Sequence, residues 1–231
     1  MEKKKGFGKG WLLIIYGFLG YFTATAVGSA MNAAAGTLAE LRGWQAAVLT
    51  SLISLGSLAN IVACFVLGKL AARRSAKTLS IICFAIYVVV MVSLGLTTNL
   101  AVFAICLILA NGISCGIGYQ LGPVMFSKWF PKRKGIVMGI VTMGIPLCAG
   151  VATMIYQRGY EAGGSLGGFM PFIAIAIVAC LLLCLFIKEN PADAGYTPDN
   201  GVEVEGESEQ KVNIARSEER RVGKESRSRW S

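Results

Sequence analysis

Histidine is absent from all 231 residues, and so are cysteine pairs of the C-x-x-C kind. Without them the usual ligand sets for zinc or another transition metal are not available, and Ser–His or Cys–His nucleophilic pairs are excluded. Charge is scarce too: Asp, Glu, Lys and Arg make up 15% of the chain, against 55% hydrophobic residues. Mean hydropathy is +0.61. Six stretches contain no charged residue at all: Trp11–Met31, Gln45–Leu67, Thr78–Thr97, Leu100–Pro123, Gly135–Gln157 and Gly168–Ile187. Each is long enough to cross a hydrocarbon core ~30 Å thick, which takes about 20 helical residues. None carries the paired aspartates of an intramembrane acid protease. These absences point to an all-α integral membrane protein with six predicted transmembrane helices, no cofactor, no metal and no enzymatic site. The first stretch is too long for a cleaved leader, and five similar ones follow it.

The charges that exist lie between the spans. Lys3, Lys4, Lys5 and Lys9 precede span 1; Lys69, Arg73, Arg74 and Lys77 follow span 2; Lys128, Lys132, Arg133 and Lys134 follow span 4. Of basic residues, the alternate loops hold only Arg42 and Arg158. Positive loops stay on the cytoplasmic side, so both termini and the two basic loops are predicted to be cytoplasmic in a multi-pass protein of the plasma (inner) membrane. The net charge of +9 therefore reflects topology and the lipid bilayer as a partner. No aromatic residues interleave these charges on a soluble face, which excludes a nucleic-acid partner. Cys64, Cys83, Cys106, Cys115, Cys148, Cys180 and Cys184 all fall within apolar spans and are expected to be small buried hydrophobes rather than a disulfide framework.

The predicted organisation is a basic N-terminus (1–10), a six-helix bundle (11–187), a polar central linker (188–215) and a distinct tail (216–231). The linker holds Pro191, Pro198 and the acidic residues Glu203, Glu205, Glu207 and Glu209, and reads as solvated. The tail, beginning Arg216-Ser217-Glu218-Glu219-Arg220-Arg221, resembles the in-frame translation of a sequencing adapter; the alternative is a basic tail that binds lipid headgroups. On the adapter reading the genuine chain ends near Ala215 as a truncated fragment.

Three motifs resemble one family. Gly68-Lys69-Leu70-Ala71-Ala72-Arg73-Arg74-Ser75-Ala76-Lys77 is similar to the G-x-x-x-D-R-x-G-R-R/K loop of the major facilitator superfamily. Gly68, Arg73 and Lys77 match, while Ala72 and Ser75 stand where an acid and a glycine are usual. Trp129-Phe130-Pro131-Lys132-Arg133-Lys134-Gly135, with Gly139 one turn on, resembles the W-F-P-x-R-x-G hinge of the oxalate/formate and monocarboxylate transporter branch. Pro191–Asn200 resembles the start of that branch's central loop. The resemblance implies the first half of a twelve-helix fold, built of two nested three-helix inverted repeats, whose other six-helix half is a missing partner. It also implies a latch role for Arg73, Arg74 and Lys77, weakened by the missing acid; topology determination is the alternative.

Spans 1 and 4, equivalent in such a repeat, are both rich in glycine: Gly17, Gly20, Gly28 and Gly36 against Gly112, Gly116, Gly118 and Gly122. Glycine-interrupted helices at matching positions point to a midplane substrate site, although close helix packing gives the same pattern. Polar side chains inside lipid must face protein or water. Tyr21, Thr25, Ser29 and Asn32 share a face of span 1, and Asn111 and Ser114 a face of span 4, with Tyr119 and Gln120 beyond. On span 5, Gly139, Thr142, Pro146, Gly150, Thr153 and Gln157 form a stripe, with a kink expected at Pro146. Interhelical hydrogen bonding is the alternative role for each polar group.

The resemblance implies a secondary transporter, antiporter or symporter, that moves a small organic anion such as a mono- or dicarboxylate by alternating access. Anion coupling generally needs an ionisable group in the cavity, and none lies in these spans. Residues 1–215 alone are therefore not expected to transport. The alternative function is a complete six-helix membrane protein that homodimerises or has a non-transport role.

Overall fold

The computed structural model describes residues 10–201. The lysines before Gly10, the acidic run of the linker and the adapter-like tail lie outside the described residues.

The described chain is helical, with no strand among those residues. Its elements are α1 (Gly10–Arg42), α2 (Ala46–Ala71), α3 (Ala76–Leu96), α4 (Leu100–Ser114), a π-helical segment (Cys115–Gln120), α5 (Leu121–Trp129), α6 (Lys134–Thr142) and α7 (Gly144–Leu185). Taken as continuous runs they make five helices long and apolar enough to cross a membrane.

Helix α1 extends well past the predicted Met31. Gly36 is the one residue between Ala33 and Arg42 that strongly disfavours helix, and the helix runs through it because Leu38, Glu40, Leu41 and Arg42 all favour helix. It stops at Gly43, whose φ of 66° allows the Trp44 N–H to reach back to the Ala39 carbonyl at 2.9 Å. Helix α3 starts under Ser75, which accepts from the Thr78 N–H, and α4 under Asn99, which accepts from Ala101 and Val102.

The expected kink of span 5 falls at Met143, between α6 and α7, rather than at Pro146 itself. Pro146 sits in the first turn of α7, where its missing N–H leaves the Thr142 carbonyl without a helical donor, so the break comes one turn earlier. Helix α7 then doubles back on itself. Gly163 and Gly164 leave helical geometry, Gly164 at φ 64° and ψ −152°, a region open essentially to glycine. Beyond it the two arms touch: Gly159 lies against the backbone of Gly167, and the Tyr156 ring meets Phe169 edge-on at 5.3 Å.

One core runs through the bundle. The first arm of α7 lies along α1, its Gly144 tight against the Phe18 carbonyl. The second arm lies along α3, from Leu166 over Gly95 at one end to Lys77 beneath Cys184 and Ile187 at the other. Helices α2 and α4 run side by side, Gly56 against Asn111 and Ala63 against Gly112. Most of α2 is exposed, with only Leu49 and Gly56 buried. The structure also joins Cys64 of α2 to Cys115 as a disulfide with Cα atoms 6.0 Å apart. This corrects the reading of all seven cysteines as isolated hydrophobes; the pairing depends on the register of two neighbouring helices, which spacing along the chain does not reveal.

Candidate functional site

A polar hollow of about 380 Å³ opens between α1, α2 and α4. Thr25, Gly28, Ser29 and Asn32 line it from α1, Ser57 and Asn60 from α2, and Asn111, Ser114 and Tyr119 from α4 and the π segment. Five of the nine predicted cavity residues meet here: Thr25, Ser29, Asn32, Asn111 and Tyr119.

The π segment creates the close approach that brings Tyr119 in. Its wider turn carries Gly116 and Gly118, and Gly118 lies where a Cβ would meet Ala24 at 2.8 Å and the Gly20 carbonyl at 3.2 Å. A glycine is therefore required for contact with α1 at this level. Tyr119 then hydrogen-bonds the Thr25 hydroxyl at 3.2 Å and stands edge-on to Tyr21, ring centroids 5.4 Å apart. Tyr21 is itself buried, so it supports Tyr119 from behind rather than lining the hollow. Local π geometry recurs at functional sites because it re-aims side chains without ending the helix.

Asn60 is the residue the sequence reading missed. Its amide donates to the Asn111 carbonyl at 2.8 Å and to the Ser114 hydroxyl at 3.5 Å. Ser114 also donates to the Asn111 carbonyl at 2.7 Å, and Asn111 turns its own amide to Leu107 at 2.9 Å. Asn60 thus ties α2 to α4 at the hollow, and Ser57 lies one turn away on the same wall. The signal was present: Thr50, Ser54, Ser57, Asn60 and Cys64 step by three or four along span 2. Ser29 and Asn32 have no hydrogen-bond partner among the described residues. The lining therefore offers neutral donors and acceptors, with no acidic or basic side chain.

Three predicted residues lie elsewhere. Gln120 turns towards Gly68 of α2, beyond the hollow. Thr142 spends its hydroxyl on the Met138 carbonyl at 2.7 Å. Gln157 is exposed, as are Gly139, Pro146, Gly150 and Thr153 of the same stripe. The opposite stripe of span 5 (Val137, Val141, Gly144, Cys148, Ala152, Tyr156) is buried. An amphipathic helix that buries its apolar stripe on α1 must turn its polar stripe away from the hollow.

A second cluster gathers at the basic end of the bundle. Arg73 and Arg74 are exposed in the α2–α3 turn, whereas Lys77 donates to the Ile187 carbonyl at 2.6 Å and the Cys184 carbonyl at 3.3 Å, closing the C-terminus of α7. Ala72 provides no acid to this loop; the acid nearby, Glu189, pairs with Lys128 at 2.5 Å and accepts from the Ser75 hydroxyl. Burial pushes the Glu189 carboxyl up, but its hydrogen bonds with Lys128 and Ser75 outweigh that and hold it below the usual carboxylate range.

The hinge itself is strapped. Trp129 is buried and donates its indole N–H to the Lys188 carbonyl at 3.0 Å. After Pro131, Asp199 accepts from the backbone N–H groups of Lys132 (2.8 Å) and Arg133 (3.2 Å). Asp199 is 4% exposed and adopts φ 53°, a left-handed conformation that aspartate tolerates. Gly135 and Gly139 have open space where a Cβ would point. The first part of the linker is thus packed on the hinge, not solvated as its composition suggested; the buried carboxylate finds its partners in the backbone N–H groups of the turn after Pro131.

No curated protein matches the chain. The family model of the Major Facilitator Superfamily matches residues 17–222, from within α1 to beyond the end of α7. An all-helical, multi-pass membrane protein with a polar hollow between its helices is consistent with that match, and the chain belongs to the major facilitator superfamily of membrane transporters.

Proposed function

We propose that the chain is the N-terminal six-helix half of a secondary transporter that carries a small organic anion, of the mono- or dicarboxylate class, by alternating access. The two arms of α7 count as separate crossings in this reading, and the basic end faces the cytoplasm of a plasma (inner) membrane. The observation that carries it is the neutral polar hollow built from Thr25, Asn32, Asn60, Asn111 and Tyr119. Hydrogen-bonding amides and hydroxyls in a membrane are costly unless they meet each other, water or a solute, and Asn32 meets no partner among the described residues. These groups suit carboxylate oxygens, while the compensating positive charge comes from the second half. Leu58, Ile61 and Phe65 of α2 are exposed and line no hollow of the bundle, which supports packing of that half against them.

The test is counterflow of radiolabelled oxalate, formate and lactate in proteoliposomes carrying the product of the complete reading frame. Uptake of at least one is expected, reduced about tenfold by Asn111→Ala, the loss of about one good polar contact in a dry site. Transport indifferent to Asn111→Ala and Asn60→Ala would remove the hollow from the pathway. Uptake by residues 1–215 alone would overturn the two-half reading and favour the dimeric six-helix alternative.

A further inference from the structure

On the outside of the bundle, away from the polar hollow, α2, α3 and α4 enclose an apolar groove of about 560 Å³. Val62 and Val66 form one wall, Ile82 and Ile86 the other, and Leu109 closes the back. Its floor is shallow-walled because the residues there are small: a Cβ added to Gly112 would meet the Ala63 methyl at 3.5 Å. The groove shares no lining residue with the polar hollow. Its wall residues remain open to the surroundings, Val62 at 63% and Ile82 at 49% exposure.

At the basic end the groove runs into a second hollow of about 580 Å³. The two share Val66 and Leu70, and the second adds Lys69 and Arg73. Neither cation has a hydrogen bond or ion pair among the described residues. Ala72 between them offers no counter-charge, and Glu189 is already held by Lys128 and Ser75. The apolar groove therefore ends at two cations that have no ion pair among the described residues.

We propose that this furrow is a binding site for an anionic glycerophospholipid of the leaflet at the basic end. An acyl chain lies in the α2–α3–α4 groove, where each buried methylene contributes, and the headgroup phosphate sits between Lys69 and Arg73. Charge complementarity selects the occupant: a neutral or zwitterionic lipid fills the groove equally well but leaves the two cations less compensated. The phosphate takes the position that an acidic side chain at residue 72 would otherwise serve, and so links the α2–α3 turn to the surrounding lipid.

The test is native mass spectrometry of the full chain, purified in detergent and incubated with equal amounts of palmitoyl-oleoyl phosphatidylglycerol and phosphatidylcholine. The wild type is expected to retain one phosphatidylglycerol in preference to phosphatidylcholine by about tenfold, from two surface cations. Lys69→Gln with Arg73→Gln should bring that preference to within about twofold, leaving phosphatidylcholine retention unchanged. Ile82→Trp, which fills the groove from an exposed position, should lower retention of both lipids at least about fivefold. Equal retention of the two lipids by the wild type, a preference that survives loss of both cations, or full lipid retention by Ile82→Trp would each overturn the site. Circular dichroism melts of the exposed-site variants show whether they remain folded, so lost binding is separable from lost structure.

Discussion

Replacing Arg42 with alanine is expected to loosen the end of the bundle opposite the basic loops. Its guanidinium donates to the Ser165 hydroxyl at 2.7 Å and to the Gly95 carbonyl at 3.0 Å, with a longer contact to the Leu94 carbonyl at 3.3 Å. It also lies over the rings of Trp44 at 5.1 Å and Phe103 at 5.5 Å. One side chain thus joins the ends of α1 and α3, the start of α4 and the reversal of α7. The two shorter hydrogen bonds contribute about 1.5 kcal/mol each because the donor is charged, and the ring contacts about 1 kcal/mol together. Allowing for the cost of burying part of the cation, Arg42→Ala should destabilise by about 3 kcal/mol. Arg42→Lys keeps the charge and one donor nitrogen, as in the Nη2 that makes all three contacts, but loses the planar group over Trp44 and Phe103 and should lose about 1 kcal/mol. Ser165→Ala removes one contact and should lose about 1 kcal/mol. Equilibrium unfolding in mixed micelles measures all three. An alanine variant within about 1 kcal/mol of wild type would refute the argument, because it would show that these contacts do not hold the four elements together.

Gly164→Ala should cost about 1–3 kcal/mol, since φ 64° with ψ −152° admits almost only glycine, whereas Gly163→Ala, at φ −148°, should cost less; equal losses in a thermal melt would count against the strained reversal. Asp199→Ala removes the acceptor shared by the Lys132 and Arg133 N–H groups and should release the hinge at a cost of about 1–2 kcal/mol, seen as faster tryptic cleavage after Lys132 or Arg133; unchanged cleavage would mean the strap does not protect the hinge. Glu189 has a depressed pKa relative to its ordinary 4.5, so its contribution is complete above the unfolded value and is lost as pH falls through the lower folded one. Trp129 fluorescence, in a chain whose other tryptophans are phenylalanine, should shift to the red in that acid window, and Glu189→Gln should abolish the transition; a transition retained in Glu189→Gln would assign it to another group.

The membrane class was legible because lipid imposes a harsh rule on composition. Six charge-free stretches can only be read one way when every buried charge is costly, and the family hinge at Trp129–Gly135 is a local spelling. The polar faces of spans 1 and 4 were legible for the same reason: Thr25, Ser29, Asn32, Asn111 and Ser114 repeat at helical spacing, and the structure gathers them. Span 5 shows the limit of that logic. Its polar stripe was real, but a stripe does not say which neighbour it faces, and the packing of Val141, Gly144 and Cys148 on α1 turned Thr142 and Gln157 away.

Other features depend on pairs of distant segments. Asn60 reaches Asn111 across 51 residues, Cys64 meets Cys115 through the same register, and Glu189 finds Lys128 and Ser75 across the bundle. Asp199 has polar neighbours along the chain, yet its partners are backbone N–H groups of a turn sixty-six residues away. Hydropathy and helical period act within a few turns, so the chain's own order determined that it is helical, apolar and membrane-embedded. Which helix lies beside which, and therefore which polar groups share the hollow and where the linker docks, was decided by tertiary packing, because shape and hydrogen-bond complementarity between helices have no local signature.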